Sequence, residues 1–201
     1  MKETDVLLRT AVDLALAGRR SWSSVADLAH EAGVGEKLAY KVTARVAEIG
    51  AITRHRGGGF SITDPERLLM VLSSRRTLSS ARRTELQAAQ ALLPELDVYA
   101  VGGTRAAVHH LGGTNTIAAH APAILYVPEN TDLAGLPEGG GALVLVADAR
   151  SLQSWAEGYT SPAQTYADLF AQPGWQASEF RRVLWREWFA VDDWAHADPA
   201  T

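Results

Sequence analysis

The chain has no cysteine among its 201 residues. That excludes disulfides and thiolate metal sites, and it gives a secreted, cross-linked scaffold no support. There is also no apolar run near the roughly 20 residues that a membrane-spanning helix needs, so no membrane partner is expected. Met1-Lys-Glu-Thr-Asp5 is charged and leads into an amphipathic stretch, unlike a secretory leader, so the expected location is cytoplasmic. What is present is ordinary for a soluble globular protein, with 47% hydrophobic and 21% charged residues. The length suffices for one large or two small domains.

The net charge of −4 hides an asymmetry. Residues 1–78 carry 12 Lys/Arg and 9 Asp/Glu, a net of +3, whereas residues 79–201 carry 7 and 14, a net of −7. A basic front and an acidic back imply two tasks, with the acidic part turned away from any polyanion.

Residues 21–62 hold the strongest local signal. Ser24 is placed to cap a helix, and Asp27 completes a weak capping-box pattern. Val25, Leu28, Ala29 and Ala32 form that helix's apolar stripe, and Gly33 sits where a tight helix–helix turn needs positive φ. Val34 follows as a core plug. Leu38, Ala39, Val42, Val46 and Ile49 supply the apolar positions of a second helix, with small Ala39 opposite Ala29. Ala51–Arg56 and Phe60–Thr63 read as two strands around Gly57-Gly58-Gly59, a hairpin following the helices. This order is that of a winged helix-turn-helix, whose second helix enters a DNA major groove.

The remaining face of the second helix carries Lys37, Tyr40, Lys41 and Arg45, and the hairpin carries Arg54 and Arg56. From Lys37 to Arg56 there are five cations and one anion, Glu48. Cations clustered on one face are the footprint of phosphate binding. The expected DNA-binding set is Ser24, Lys37, Tyr40, Lys41, Arg45, Arg54 and Arg56. Lys37 and Tyr40 are best placed for base edges, and Lys41 and Arg45 for phosphates. Arg54 and Arg56 alternate in a strand and so share one side. The partner is double-stranded DNA, an operator with inverted repeats if the protein is a homodimer.

Punctuation divides the chain into three parts: 1–63, the winged helix-turn-helix; 64–95, a helical connector; and 96–201, a mixed domain. The first helix spans Asp5 to Ala17 and ends at Gly18. In the connector, Asp64-Pro65 opens one helix, and Ala81 to Leu93 is read as another, closed by Pro94. The third part offers strands at Val98–Val101, Ala123–Val127 and Ala142–Ala147, the last two with the continuous apolar character of strands covered on both faces. Helices are expected from Thr104 to Leu111, from Ser161-Pro162 to Phe170 and from Ala177 to Phe189, with no clear period from Asp192 onward. The fold class is mixed α/β of the α+β type, with a small sheet flanked by helices.

Tyr99-Ala-Val-Gly-Gly-Thr-Arg-Ala-Ala107, Ala123–Val127, the run Thr160-Ser-Pro-Ala-Gln-Thr-Tyr-Ala-Asp-Leu169 and the helix bearing Glu179 together resemble the effector region of AbiEi-type antitoxins of abortive-infection, type IV toxin–antitoxin systems. The resemblance runs from about residue 20 to residue 190. It departs in Gln172–Arg182, where Phe180 and Arg181 replace the family's small residues. It implies a repressor of its own operon whose C-terminal domain counters a nucleotidyltransferase-like toxin without a stable complex. Tyr166 and Asp168 are the candidate residues for that antitoxin task, with Tyr166 expected in the core and Asp168 exposed.

Catalytic, cofactor and metal sites are not expected. Val101-Gly102-Gly103 resembles the glycine turn of nucleotidyltransferases, yet the stretch Gly112–Ile117, where paired metal-binding carboxylates belong, has no acid, and Asp148 stands alone. The glycines are more simply a strand-to-helix turn. His109 and His110 point about 100° apart on a helix, and with His120 they lack a ligand set for metal. Ser161 reads as a helix cap. Trp155, Trp175, Trp185, Trp188 and Trp194 crowd the C-terminal fifty residues, as core or as a partner surface with Arg181, Arg182 and Arg186. Two alternatives to the repressor remain: a ligand-responsive winged-helix regulator whose C-terminal domain binds a small molecule, and a nucleotidyltransferase-like enzyme.

Overall fold

The computed structural model describes residues 2–113, 117 and 121–190. They fall into two compact units, one of Lys2–Arg75 with residues 185–190, the other of Arg76–Leu184. Helices dominate and each unit carries one small sheet, an α+β arrangement.

The first unit opens with α1 (Glu3–Leu16), whose Leu7, Leu8, Ala11 and Val12 are buried. After β1 (Ser21–Trp22) comes α2 (Val25–Ala32). Its start is fixed by a reciprocal cap: the Asp27 N–H donates to Ser24 Oγ (3.1 Å) and the Ser24 N–H to Asp27 Oδ2 (3.0 Å). Gly33 ends it at φ 67°, which lets the Val34 N–H reach back to the Ala29 carbonyl at 3.0 Å. Helix α3 (Glu36–Glu48) packs on α2, where Ala29 and Ala39, both buried, allow a close approach. Strands β2 (Ile52–Arg54) and β3 (Phe60–Ile62) pair antiparallel, and β1 adds to β3, giving the order β1-β3-β2. Trp22 stacks on Phe60 at 5.1 Å. Helix α4 (Pro65–Arg75) then packs on α1 through Leu68, Leu69 and Leu72, and Arg75 pairs with Asp5 at 3.2 Å.

The second unit is built on a four-stranded sheet, order β4-β7-β6-β5, from β4 (Arg82–Thr84), β5 (Ala100–Gly102), β6 (Ala123–Pro128) and β7 (Ala142–Ala147). The central pair β6–β7 is parallel and both edges are antiparallel. Alternation sends Ile124 and Tyr126 to one face, with Leu152 and Trp155, and Leu125 and Val127 to the other, with Ala89 and the partly buried Leu92 and Leu133. Both faces are covered, which is why β6 and β7 read as unbroken apolar runs. Around the sheet lie α5 (Leu86–Leu92), α6 (Gly103–His110), α7 (Ala149–Ser154), α8 (Pro162–Ala171) and α9 (Trp175–Leu184).

Several expectations are corrected. Residues 64–95 are no separate connector: the division falls between Arg75 and Arg76, so α4 belongs to the first unit and β4 to the second. The helix expected over Ala81–Leu93 begins only at Leu86, because Arg82–Thr84 extends to pair with β7 and buries Thr84. The helix expected from Thr104 starts at Gly103, with Gly102 at the cap position and no side-chain bond. Asp148 is instead a cap, accepting the Ser151 N–H of α7 at 2.8 Å. The helix expected over Ala177–Phe189 runs from Trp175 to Leu184 and continues as one wide π-type turn, Trp185–Phe189. Residues 192–201 lie outside the described residues.

Candidate nucleic-acid interface

The exposed face of α3 follows from its helical period. Ala39, Thr43 and Val46 are buried, so Lys37, Tyr40, Lys41 and Arg45 stand on the opposite side, all exposed. Tyr40 is 49% exposed. Lys37 and Lys41 form no ion pair among the described residues, whereas Arg45 pairs with Glu48 at 2.6 Å. Thr43 anchors the far edge of this face: its Oγ1 donates to the Ala39 carbonyl at 2.8 Å and receives the Arg54 guanidinium at 3.4 Å. That long bond ties the hairpin to α3 beside Tyr40.

The hairpin tip is shaped by glycine. Gly58 adopts φ 99°, and a Cβ on Gly59 would lie 2.6 Å from the Trp22 carbonyl oxygen, so no other residue fits there without movement. His55 and Ser21 both bond the Ser61 hydroxyl, at 2.7 and 2.8 Å, and hold the three strands in register. Arg54 ends β2, but Arg56 lies in the turn and not in a strand. The alternation that was to put both arginines on one side therefore stops at His55. Both side chains are exposed.

Of the nearby acids, Glu36 at the start of α3 is exposed and forms no ion pair among the described residues, while others are committed. Glu31 binds Arg19 (2.6 Å) and the Trp22 indole N–H (3.2 Å), and Asp64 binds Arg67 (2.8 Å). Burial lowers the pKa of Arg20 from its ordinary value. Ser24 is engaged in the helix cap at the start of α2.

In the second unit the Ser-Pro-x-Gln-x-Tyr-x-Asp run resolves into a buried cluster. Gln164 and Asp168 lie one turn apart on α8 and both meet Tyr126 of β6. The Tyr126 hydroxyl donates to the Asp168 carboxylate, 2.7 and 2.8 Å from its two oxygens, and accepts from Gln164 Nε2 at 3.1 Å. Arg76 completes the set, with Nε 2.7 Å from Asp168 Oδ1 and an NH2 2.5 Å from the Tyr126 hydroxyl. Asp168 is fully buried and the Arg76 side chain is 7% exposed. Burial, and then the Asp168 charge, push the Tyr126 pKa well above its ordinary value, so Tyr126 stays a donor.

The expectation that Asp168 is exposed is thus overturned. The cause is a partner 92 residues away that makes burial of the charge tolerable. Tyr166 is buried as expected, with Arg181 5.8 Å above its ring.

Gly102 and Gly103 turn β5 into α6 over this cluster. A Cβ on Gly102 would lie 2.7 Å from Asp168 Oδ2, and one on Gly103, at φ 61°, 3.0 Å from Ile124. The room beside the glycines is filled by the chain's own side chains. His109 stacks on Tyr159 at 4.0 Å and reaches Glu157 at 3.2 Å, while His110 bonds the Thr160 carbonyl at 2.8 Å. Burial above all lowers the pKa of His110. No group of three metal-ligating side chains occurs among the described residues; His120 lies outside them.

The tryptophans divide: Trp155 is buried, Trp175 and Trp188 are exposed, and Trp194 lies outside the described residues. No described helix is long and apolar enough to cross a membrane. No family model, curated protein or solved structure matches the chain.

Proposed function

We propose that the first unit is a winged helix-turn-helix that binds double-stranded DNA and that the protein regulates transcription through it. The observation that carries this reading is the face of α3. Two lysines without ion-pair partners among the described residues flank an exposed tyrosine, beside a hairpin whose two arginines are exposed. Surface lysines usually cost nothing, but a tyrosine left open between them gains stability only when something covers it. A phosphate backbone with base edges beneath meets both needs. Lys37 and Tyr40, near the start of α3, reach for bases. Lys41, Arg45 and Arg54 hold phosphates, and Arg56 at the hairpin tip meets the adjacent backbone.

The likeness to AbiEi-type antitoxins extends the proposal. The regulated gene is the protein's own operon, and the second unit, with Tyr166 and Asp168 inside it, counters a nucleotidyltransferase-like toxin. With Asp168 enclosed, the antitoxin task in this reading falls to exposed residues such as Phe170 and Trp175, without a stable complex.

Selection of the full chain against a randomised duplex library tests the reading. Enrichment of a single motif is expected, and a Lys37→Ala, Tyr40→Ala variant loses it while keeping its melting temperature. An unenriched library contradicts sequence-specific binding.

A further inference from the structure

Leu38 and Val42 were expected in the core of α3, yet both are only half-buried. They line a groove of about 280 Å³ between α1, α3 and α4, within the first unit. Leu8, Leu38, Val42, Val46 and Val71 give it an apolar floor. Its rim holds Thr4, Lys41, Arg45 and Arg75. Two of the three cations have internal partners, Arg45 with Glu48 and Arg75 with Asp5. Lys41 has no ion pair among the described residues.

An apolar floor under one uncommitted ammonium and a hydroxyl selects for a ligand with one apolar ring or chain and one anionic end. A cation would meet the like charge of Lys41. A neutral hydrocarbon would cover the ammonium without replacing its water. A carboxylate does both jobs, since its charge-assisted bond to Lys41 strengthens as the apolar part excludes water. We propose that this groove is the binding site of a small amphipathic carboxylate, and that the bound ligand competes with DNA for Lys41. The site itself stands apart from the DNA-binding reading; the competition rests on it.

The probe is 2-naphthoate, with cationic 2-naphthylmethylamine as its counterpart, each titrated into the full chain and followed by calorimetry and amide chemical shifts. Naphthoate is expected to saturate one site and shift the amides of Leu38, Val42 and Val71, and the amine to bind at least about tenfold more weakly. Lys41→Met should cost about tenfold in naphthoate affinity. Val71→Trp fills the groove from a half-buried position and should abolish naphthoate binding while leaving duplex binding intact.

Absence of saturable naphthoate binding, equal binding of the amine, or unchanged binding in both variants overturns the site. So does a dimer dissolved by Val71→Trp, which would give the groove to a second copy. Should Val71→Trp fail to fold, Lys41→Met decides alone, being an exposed substitution. Naphthoate that binds as stated but leaves duplex affinity unchanged overturns the competition. If the unliganded chain binds no duplex, the DNA-binding reading fails and the competition with it, and the calorimetry still judges the site.

Discussion

Two sets of cations, the α3 and hairpin set of the first unit and Arg76 of the second, are placed in opposite ways. In the first, Lys37, Lys41 and Arg56 stand in solvent, and even paired Arg45 is 77% exposed. In the second, Arg76 is enclosed and its charge is spent on Asp168 and Tyr126. Exposed cations contribute little to stability and remain free to meet an outside anion. A buried cation with a geometrically matched carboxylate fixes one arrangement of its neighbours and is costly to disturb. Stability and binding should therefore separate between these two sets of residues, and substitutions can break or sharpen that contrast.

The largest effect is expected in the buried cluster. Asp168→Ala strands Arg76 and should cost about 3–5 kcal/mol in denaturant unfolding of the full chain. Adding Arg76→Met should recover part of that loss. A cost below 1 kcal/mol, of the size typical for an exposed pair, would erase the distinction between the units.

Next is Gly102→Ala. The backbone of Gly102 suits alanine, so the added Cβ tests the space held by Asp168, Tyr126 and Ile124. A loss of about 1–3 kcal/mol is expected from overpacking, measured by the shift in denaturation midpoint.

Arg54→Ala with Arg56→Ala should leave the unfolding midpoint within about 0.5 kcal/mol, the usual range for surface changes. In the proposed reading these residues meet backbone and not bases, so duplex affinity should fall for all sequences alike. A change in base preference, read by competition among duplexes, would place them in the wrong role.

The smallest effect concerns pH. His110 has a folded pKa below its ordinary 6.5, chiefly through burial, so the unfolded chain binds its proton more readily. Its stabilising contribution is full above about pH 6.5 and declines as the pH falls below that value toward the folded pKa. His110→Gln should flatten this part of the stability profile. A wild-type profile that rises on acidification in that window, and is flattened by His110→Gln, would reverse the assignment.

Much of this was readable from local chemistry. Ser24, Asp27 and Gly33 announced the boundaries of α2, and Ser161-Pro162 the start of α8, because caps act within a few residues. The unbroken apolar runs of β6 and β7 gave the covered sheet. The edge strands β1 and β4 escaped notice because two or three residues carry no period, and their pairing depends on distant Ser61 and Val144. The burial of Asp168 was hidden for the same reason. Spacing on α8 gives the side it faces, but only the tertiary structure brings Arg76 to it. Leu38 and Val42 had the right period for the core, and period alone does not say whether a neighbour closes over them.

The central claim is that the exposed cations of α3 serve to meet DNA, Lys41 at a phosphate and Lys37 at a base edge. It is tested most directly by the salt dependence of binding to a mixed-sequence duplex, comparing the unsubstituted chain with the Lys37→Ala, Lys41→Ala variant. With Lys41 on a phosphate and Lys37 on a base edge, the slope of log affinity against log salt should flatten by about one, for the one lost phosphate contact, at an unchanged melting temperature. An identical slope in the two proteins would contradict the account.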